Sequence, residues 1–172
     1  VAKYLLLILP LIGDAHQLYA AVLDFSSTEK AINYCSDKTE FGYGYCAGVR
    51  NTIRAMIPQT KTWPSGWACL PTKLDPDQDI QKILVHLKKV RAGIEIVNNE
   101  YDGDMLAAKF GLIGAVDKAL AKHGPHNAIT NELIDKANIV FTVPNNFTGK
   151  EQVAELIMIV YQDIHKCSGR TK

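Results

Sequence analysis

Apolar positions along this chain keep step with a helix rather than a strand. Phe41, Tyr45, Val49, Ile53 and Ile57 recur every four residues and draw one stripe on a helix that Pro58 stops. Ile80, Ile83, Leu84, Leu87 and Val90 mark a second helix, from Pro76 to about Ala92. Leu106, Phe110, Ile113, Val116 and Leu120 mark a third, ended by Lys122-His123-Gly124-Pro125. Shorter helices are expected from the capping box Ser26 to Glu29 as far as Cys35, and over Thr130 to Lys136. A last helix is expected from Gly149 to His165, with Ile139 to Val143 as a brief extended piece before it. Gly44 and Gly48 lie one turn apart on one face. Glycine weakens a helix, so close approach of a second helix is the expected compensation. No βαβ alternation occurs. The fold class expected is all-α, a helical bundle.

One segment returns in degraded form 73 residues later. Cys69-Leu70-Pro71-Thr72-Lys73-Leu74-Asp75-Pro76-Asp77-Gln78 is echoed by Pro144-Asn145-Asn146-Phe147-Thr148-Gly149-Lys150-Glu151. Pro71 matches Pro144, Leu74 matches Phe147, Asp75 matches Thr148, and Gln78 matches Glu151. The apolar phase is kept, with Ile80, Ile83, Leu84 and Leu87 falling on Val153, Leu156, Ile157 and Val160. Each copy reads as a capped helix start, Asp75 or Thr148 accepting from the first turn and Gln78 or Glu151 bonding back. Two related modules, 16–97 and 98–172, with a pseudo-twofold arrangement and a shared core, are the expected organisation.

Composition changes this picture in two places. With 19 Lys+Arg against 18 Asp+Glu the net charge is +1, so nothing favours nucleic acid as a partner. The N-terminus has Lys3, an apolar run from Tyr4 to Ile12 too short to span a bilayer, and small residues at Gly13 and Ala15. That pattern predicts a signal peptide over 1–15, cut after Ala15 or after Ala20, with a periodic plan beyond it that needs no membrane. Export places the four cysteines in an oxidising compartment, where two disulfides are expected. Three pairings are open to Cys35, Cys46, Cys69 and Cys167. The preferred set is Cys46 with Cys69, inside the first module, and Cys35 with Cys167, tying the first helix to the last.

Catalytic chemistry finds no foothold. None of His16, His86, His123, His126 and His165 lies in a metalloprotease motif, and the cysteines have no CxxC spacing, so no metal is expected. Asp75, Asp77 and Asp79 alternate as in a calcium loop, but the glycine and distal Glu of such a loop are missing, and a helix start explains them. No serine sits in a nucleophile elbow and no glycine pair forms a phosphate loop. No cofactor is expected, and the chain does not read as an enzyme. What stands out is the loop Gln59 to Ala68, where Trp63, Trp67 and Lys61 lie beside Pro64 and Gly66. Tryptophan is enriched where proteins bind proteins, which makes Trp63 and Lys61, and less directly Trp67, candidate partner contacts.

The pair Gly44-Tyr45-Cys46-Ala47-Gly48-Val49 and Cys69-Leu70-Pro71-Thr72-Lys73-Leu74-Asp75-Pro76-Asp77-Gln78 resembles the Rap1a/Tai family. Its members are small exported helical immunity proteins for the peptidoglycan amidase effectors of type VI secretion. Gly44, Tyr45, Gly48 and Val49 match the family's helix motif, and Cys69, Pro71, Leu74 and Gln78 match its second element, with Asp75 replacing a threonine cap. The likeness covers residues 35–92. The family's cysteine before the Gly-Tyr falls at Gly42, and Cys46 stands one turn later on the same side. The resemblance implies a periplasmic or secreted protein that binds a toxic cell-wall hydrolase and covers its cleft. A homo-dimer is a further candidate assembly, and an exported carrier of a small apolar ligand is the alternative function.

Overall fold

A computed structural model describes residues 22–56 and 75–166. The predicted signal peptide, the loop carrying Lys61, Trp63 and Trp67, the segment from Cys69 through Pro71 to Leu74, and Cys167 lie outside the described residues. Those described form an all-α bundle of six helices: α1 (Ser26–Ser36), α2 (Glu40–Met56), α3 (Pro76–Tyr101), α4 (Met105–His123), α5 (Ala128–Phe141) and α6 (Val153–Ile164).

Local chemistry explains where these helices begin and end, and corrects several expected boundaries. Before α1, Asp24 accepts from the Ser26 N–H at 2.8 Å and the Ser26 hydroxyl at 3.0 Å. The expected box of Ser26 and Glu29 therefore does not form, and Glu29 pairs with Arg91 instead. Asp75 caps α3 as expected, accepting from the N–H groups of Asp77 and Gln78 with Pro76 in the first turn. The helix then runs well past Ala92, because Ile94 and Val97 extend its buried stripe. It ends where Asp102 and Gly103 take left-handed φ values of 51° and 83°. Asp104 and Asn127 cap α4 and α5. Residues 139–141 belong to α5 and are not extended.

The second copy of the cap motif keeps only half of its bonding. Glu151 accepts from the Thr148 N–H at 2.7 Å, the expected return bond, but the Thr148 hydroxyl accepts from Lys150. Gly149 has a φ of 79°, and a Cβ there would lie 2.5 Å from the Asp24 carbonyl oxygen. A left-handed residue pressed against backbone cannot open a helix. So α6 starts at Val153, not at Gly149. The apolar phase survives this shift: Leu156, Ile157 and Val160 are buried as Ile83, Leu84 and Leu87 are.

Two clusters of buried side chains share α3. The larger draws on α1, α2, α3 and α6, with Val143 and Phe147 from the segment before α6. The smaller holds Val97, Ala108, Leu112 and Val140 from α3, α4 and α5. Between them, Gly93 lets α3 and α5 touch: a Cβ there would lie 2.5 Å from a Val143 methyl and 2.8 Å from the Ile139 carbonyl oxygen.

One predicted stripe faces outward and another does so in part. On α2 Gly42, Cys46, Arg50 and Ile53 are buried, so Ile53 of the predicted stripe joins the core while Phe41 is 75% exposed. On α4 the helix buries Ala108, Leu112 and Ala119 and turns Leu106, Phe110, Ile113 and Leu120 to solvent. That helix is apolar nearly all round, so periodicity marked one of two competing faces, and the smaller side chains won the closer contact.

The disulfide also differs from the preferred pairing. Cys35 is bonded to Cys46, across a Cα–Cα distance of 5.1 Å, so neither Cys46–Cys69 nor Cys35–Cys167 forms. Asp37 explains the geometry. It accepts from the Thr39 N–H at 2.9 Å and from its hydroxyl, closing a tight turn that folds α2 back against α1. The two buried sulfurs then meet inside the larger core.

Candidate functional site

The inner face of α2 is anchored by charge. Asp79, in the first turn of α3, has no exposed surface. One carboxylate oxygen accepts from Arg50 Nε at 2.8 Å and from the Tyr161 hydroxyl at 2.9 Å; the other lies 2.9 Å from His165 Nε2. Burial alone would raise its pKa, but the bonds from Arg50, His165 and Tyr161 outweigh burial and hold it below the ordinary 3.8. Burial, reinforced by the Asp79 acceptor, pushes the Tyr161 phenol up. Arg50 also donates to Asn51 at 2.8 Å, leaving Nη2 without a partner among the described residues. The carboxylate thus ties α2, α3 and α6 at one point, and the Tyr161 and His165 rings meet at a tilt with centroids 4.6 Å apart.

This hub was hidden in a run read as a helix start. Asp75 does cap the helix, and Asp77 accepts a hydrogen bond from the Tyr43 hydroxyl. Asp79, however, stands in phase with Ile83, Leu87, Val90 and Ile94. An acid within a buried stripe needs a buried partner, and that was the available signal. Arg50 between Cys46 and Ile53, and Tyr161 on α6 with His165 four residues on at its end, carry the same mark.

Among the described residues, the outer face of α2 is uncovered. Between α2 and α6 runs an apolar groove of about 690 Å3, lined by Gly44, Tyr45, Gly48, Val49 and Ile53 on one side and Ala154, Glu155 and Met158 on the other. The Thr52 hydroxyl, also in the groove, donates to the Gly48 carbonyl at 2.9 Å and so presents little free polarity. Expected helix-to-helix contact at the glycines does not occur: among the described residues nothing lies within 4 Å of a Cβ built at Gly44 or Gly48. Tyr34 stacks on Tyr45 at 4.9 Å and meets Phe41 edge-on at 6.2 Å, so an aromatic patch extends the groove at the N-terminal end of α2.

The sequence-predicted residues therefore separate. Gly44, Tyr45 and Gly48 line one groove, Asp75 and Gln78 stand at the start of α3, and Pro144, Thr148 and Glu151 shape the turn before α6. Among the described residues no group of three or more His, Cys, Asp or Glu side chains is placed to hold a metal ion, and no helix is long and apolar enough to cross a membrane. Scans against protein-family models, curated proteins and solved structures return no match to this chain.

Proposed function

We propose that this chain is an exported helical immunity protein that binds a cell-wall-degrading amidase effector and blocks its active-site cleft with the α2–α6 face. The observation that carries this reading is the coincidence of motif and groove. Gly44, Tyr45, Gly48 and Val49, which carry the resemblance to the Rap1a/Tai family, line the open apolar channel. Helical glycines with nothing packed on them among the described residues leave room for a close approach by another molecule. Phe41 and Tyr45 beside them are partly exposed aromatics of the kind that anchor protein interfaces.

The test is native mass spectrometry and an inhibition assay with a purified peptidoglycan amidase encoded beside this chain. A stoichiometric complex and loss of hydrolysis are expected, and Gly48→Leu, which fills the groove floor, should abolish both without loss of helicity. Full amidase activity in excess protein, with no complex, would sink the proposal. A second reading, carriage of a small apolar ligand, has the same groove in its favour, since its volume suits a small molecule. A lipophilic compound that stays with the protein through native mass spectrometry, displaced by Gly48→Leu, would select it.

A further inference from the structure

A second cleft, of about 390 Å3, opens where α3, α4, α5 and α6 meet, and it shares no lining residue with the α2–α6 groove. One wall is apolar, formed by Phe141, Val143 and Ile159. Beside it stands Lys109, whose ammonium donates to the Val143 carbonyl at 2.8 Å and the Asn145 side-chain oxygen at 2.5 Å. It lies 5.5 Å from the centre of the Phe141 ring. Both acceptors are neutral, and among the described residues no carboxylate comes within ion-pair distance of Lys109. Burial pushes its pKa down.

The cleft's other charges do not repair this. Its one acid, Asp163, is held by His86 Nε2 at 3.0 Å. His86 is itself pushed below the usual imidazole range, by burial and then by Lys89, against the pull of Asp163. Lys166 adds a second cation at the rim. The lining thus combines an excess of positive charge, one Lys109 ammonium N–H with no acceptor among the described residues, and an aromatic wall. Its volume lies at the small end of ligand sites. The charged side chains of the cleft, Lys109 and Lys166 against Asp163, leave an excess of one positive charge. The carbonyl-rich end of α5, which ends at Phe141 beside the cleft, opposes anionic charge, so the two lysines set the limit at a singly charged anion.

We propose that this cleft binds a small organic carboxylate, its charge held by Lys109 and its apolar body laid against Phe141 and Ile159. The site is independent of the groove assigned to the partner enzyme and stands or falls separately from it. The probe is 3-phenylpropionate, titrated calorimetrically into the full chain, with 3-phenylpropanol as the uncharged comparison. Saturable one-to-one binding of the carboxylate is expected, with the alcohol at least about tenfold weaker, because a hydrogen bond to a charged group is worth more than one to a neutral group. Lys109→Met should weaken the carboxylate about tenfold or more, and Lys109→Arg should restore most of the loss. Amide chemical shifts of the unaltered protein supply a readout that needs no variant: changes should centre on Phe141, Asn145 and Gln162. No saturation by about 10 mM, equal binding of acid and alcohol, unchanged affinity in a folded Lys109→Met protein, or shifts centred on Gly44 and Gly48 would each overturn the assignment.

Discussion

The outer face of α2 and the contact between α3 and α5 both use glycine in mid-helix, in opposite ways. At Gly93 the neighbouring helix is so close that a Cβ would overlap a Val143 methyl and the Ile139 carbonyl. At Gly44 and Gly48 a Cβ would meet nothing described within 4 Å. Glycine at either place weakens its helix by roughly 0.5–1 kcal/mol relative to alanine. Only the α3–α5 contact returns that loss as packing within the fold. The same residue type therefore marks a seam in one region and, among the described residues, an uncovered surface in the other, and position in the sequence does not distinguish them.

The comparison holds only if α2 is kept in place by its inner face, so the strongest way to break it is to remove Asp79. Replacing it by alanine strands the Arg50 guanidinium in the core and should destabilise the protein by about 3–5 kcal/mol, read by urea unfolding. The sign with pH follows from the lowered carboxyl pKa. Stability contributed by Asp79 is complete above about 3.8, its ordinary value, and is lost as pH falls through the lower folded-state value. The gap between the unaltered protein and Asp79→Asn should therefore be widest near neutrality and close under acid conditions. A gap that does not change from pH 7 down to pH 2 would show that the charge of Asp79 is not what anchors α2.

The seam is tested next. Gly93→Ala should cost about 1–3 kcal/mol, because the new methyl must displace Val143 or spread α3 from α5. For a chain of this size that is a fall in melting temperature of roughly 2–4 °C per kcal/mol. An unchanged melting temperature would mean that the helices part without penalty, and the distinction between seam and surface would be lost.

How much of this was legible follows the same division. Helical periodicity and the Asp75 cap are set by neighbours within one or two turns, so the helices, the all-α class and the start of α3 could be read directly. The start of α6 could not, because Gly149 is held left-handed by Asp24, more than a hundred residues away in the chain. The face of α4 was misread because Leu106 and Phe110 form as regular a stripe as Ala108 and Leu112, and only the partners α3 and α5 choose between them. The Asp79 hub was partly readable as an acid in an apolar phase, but its three partners lie 29, 82 and 86 residues away. The Cys35–Cys46 bond turned on Asp37, a turn residue that counting cysteines ignores.

The smallest expected effect is the most informative about α2. If Gly48 faces open space, Gly48→Ala removes a flexible residue from a helix and adds a methyl that meets nothing. Stability should rise by about 0.5–1 kcal/mol, the reverse of Gly93→Ala. The same variant narrows the groove floor by one methyl group, so its binding to the amidase proposed as partner should weaken while the fold tightens. Opposite signs for stability and binding at one residue are what a surface kept clear for another molecule requires. A glycine that merely packs inside the fold would lose both together, and a neutral one would change neither. Differential scanning calorimetry and a titration of the same Gly48→Ala sample decide among the three.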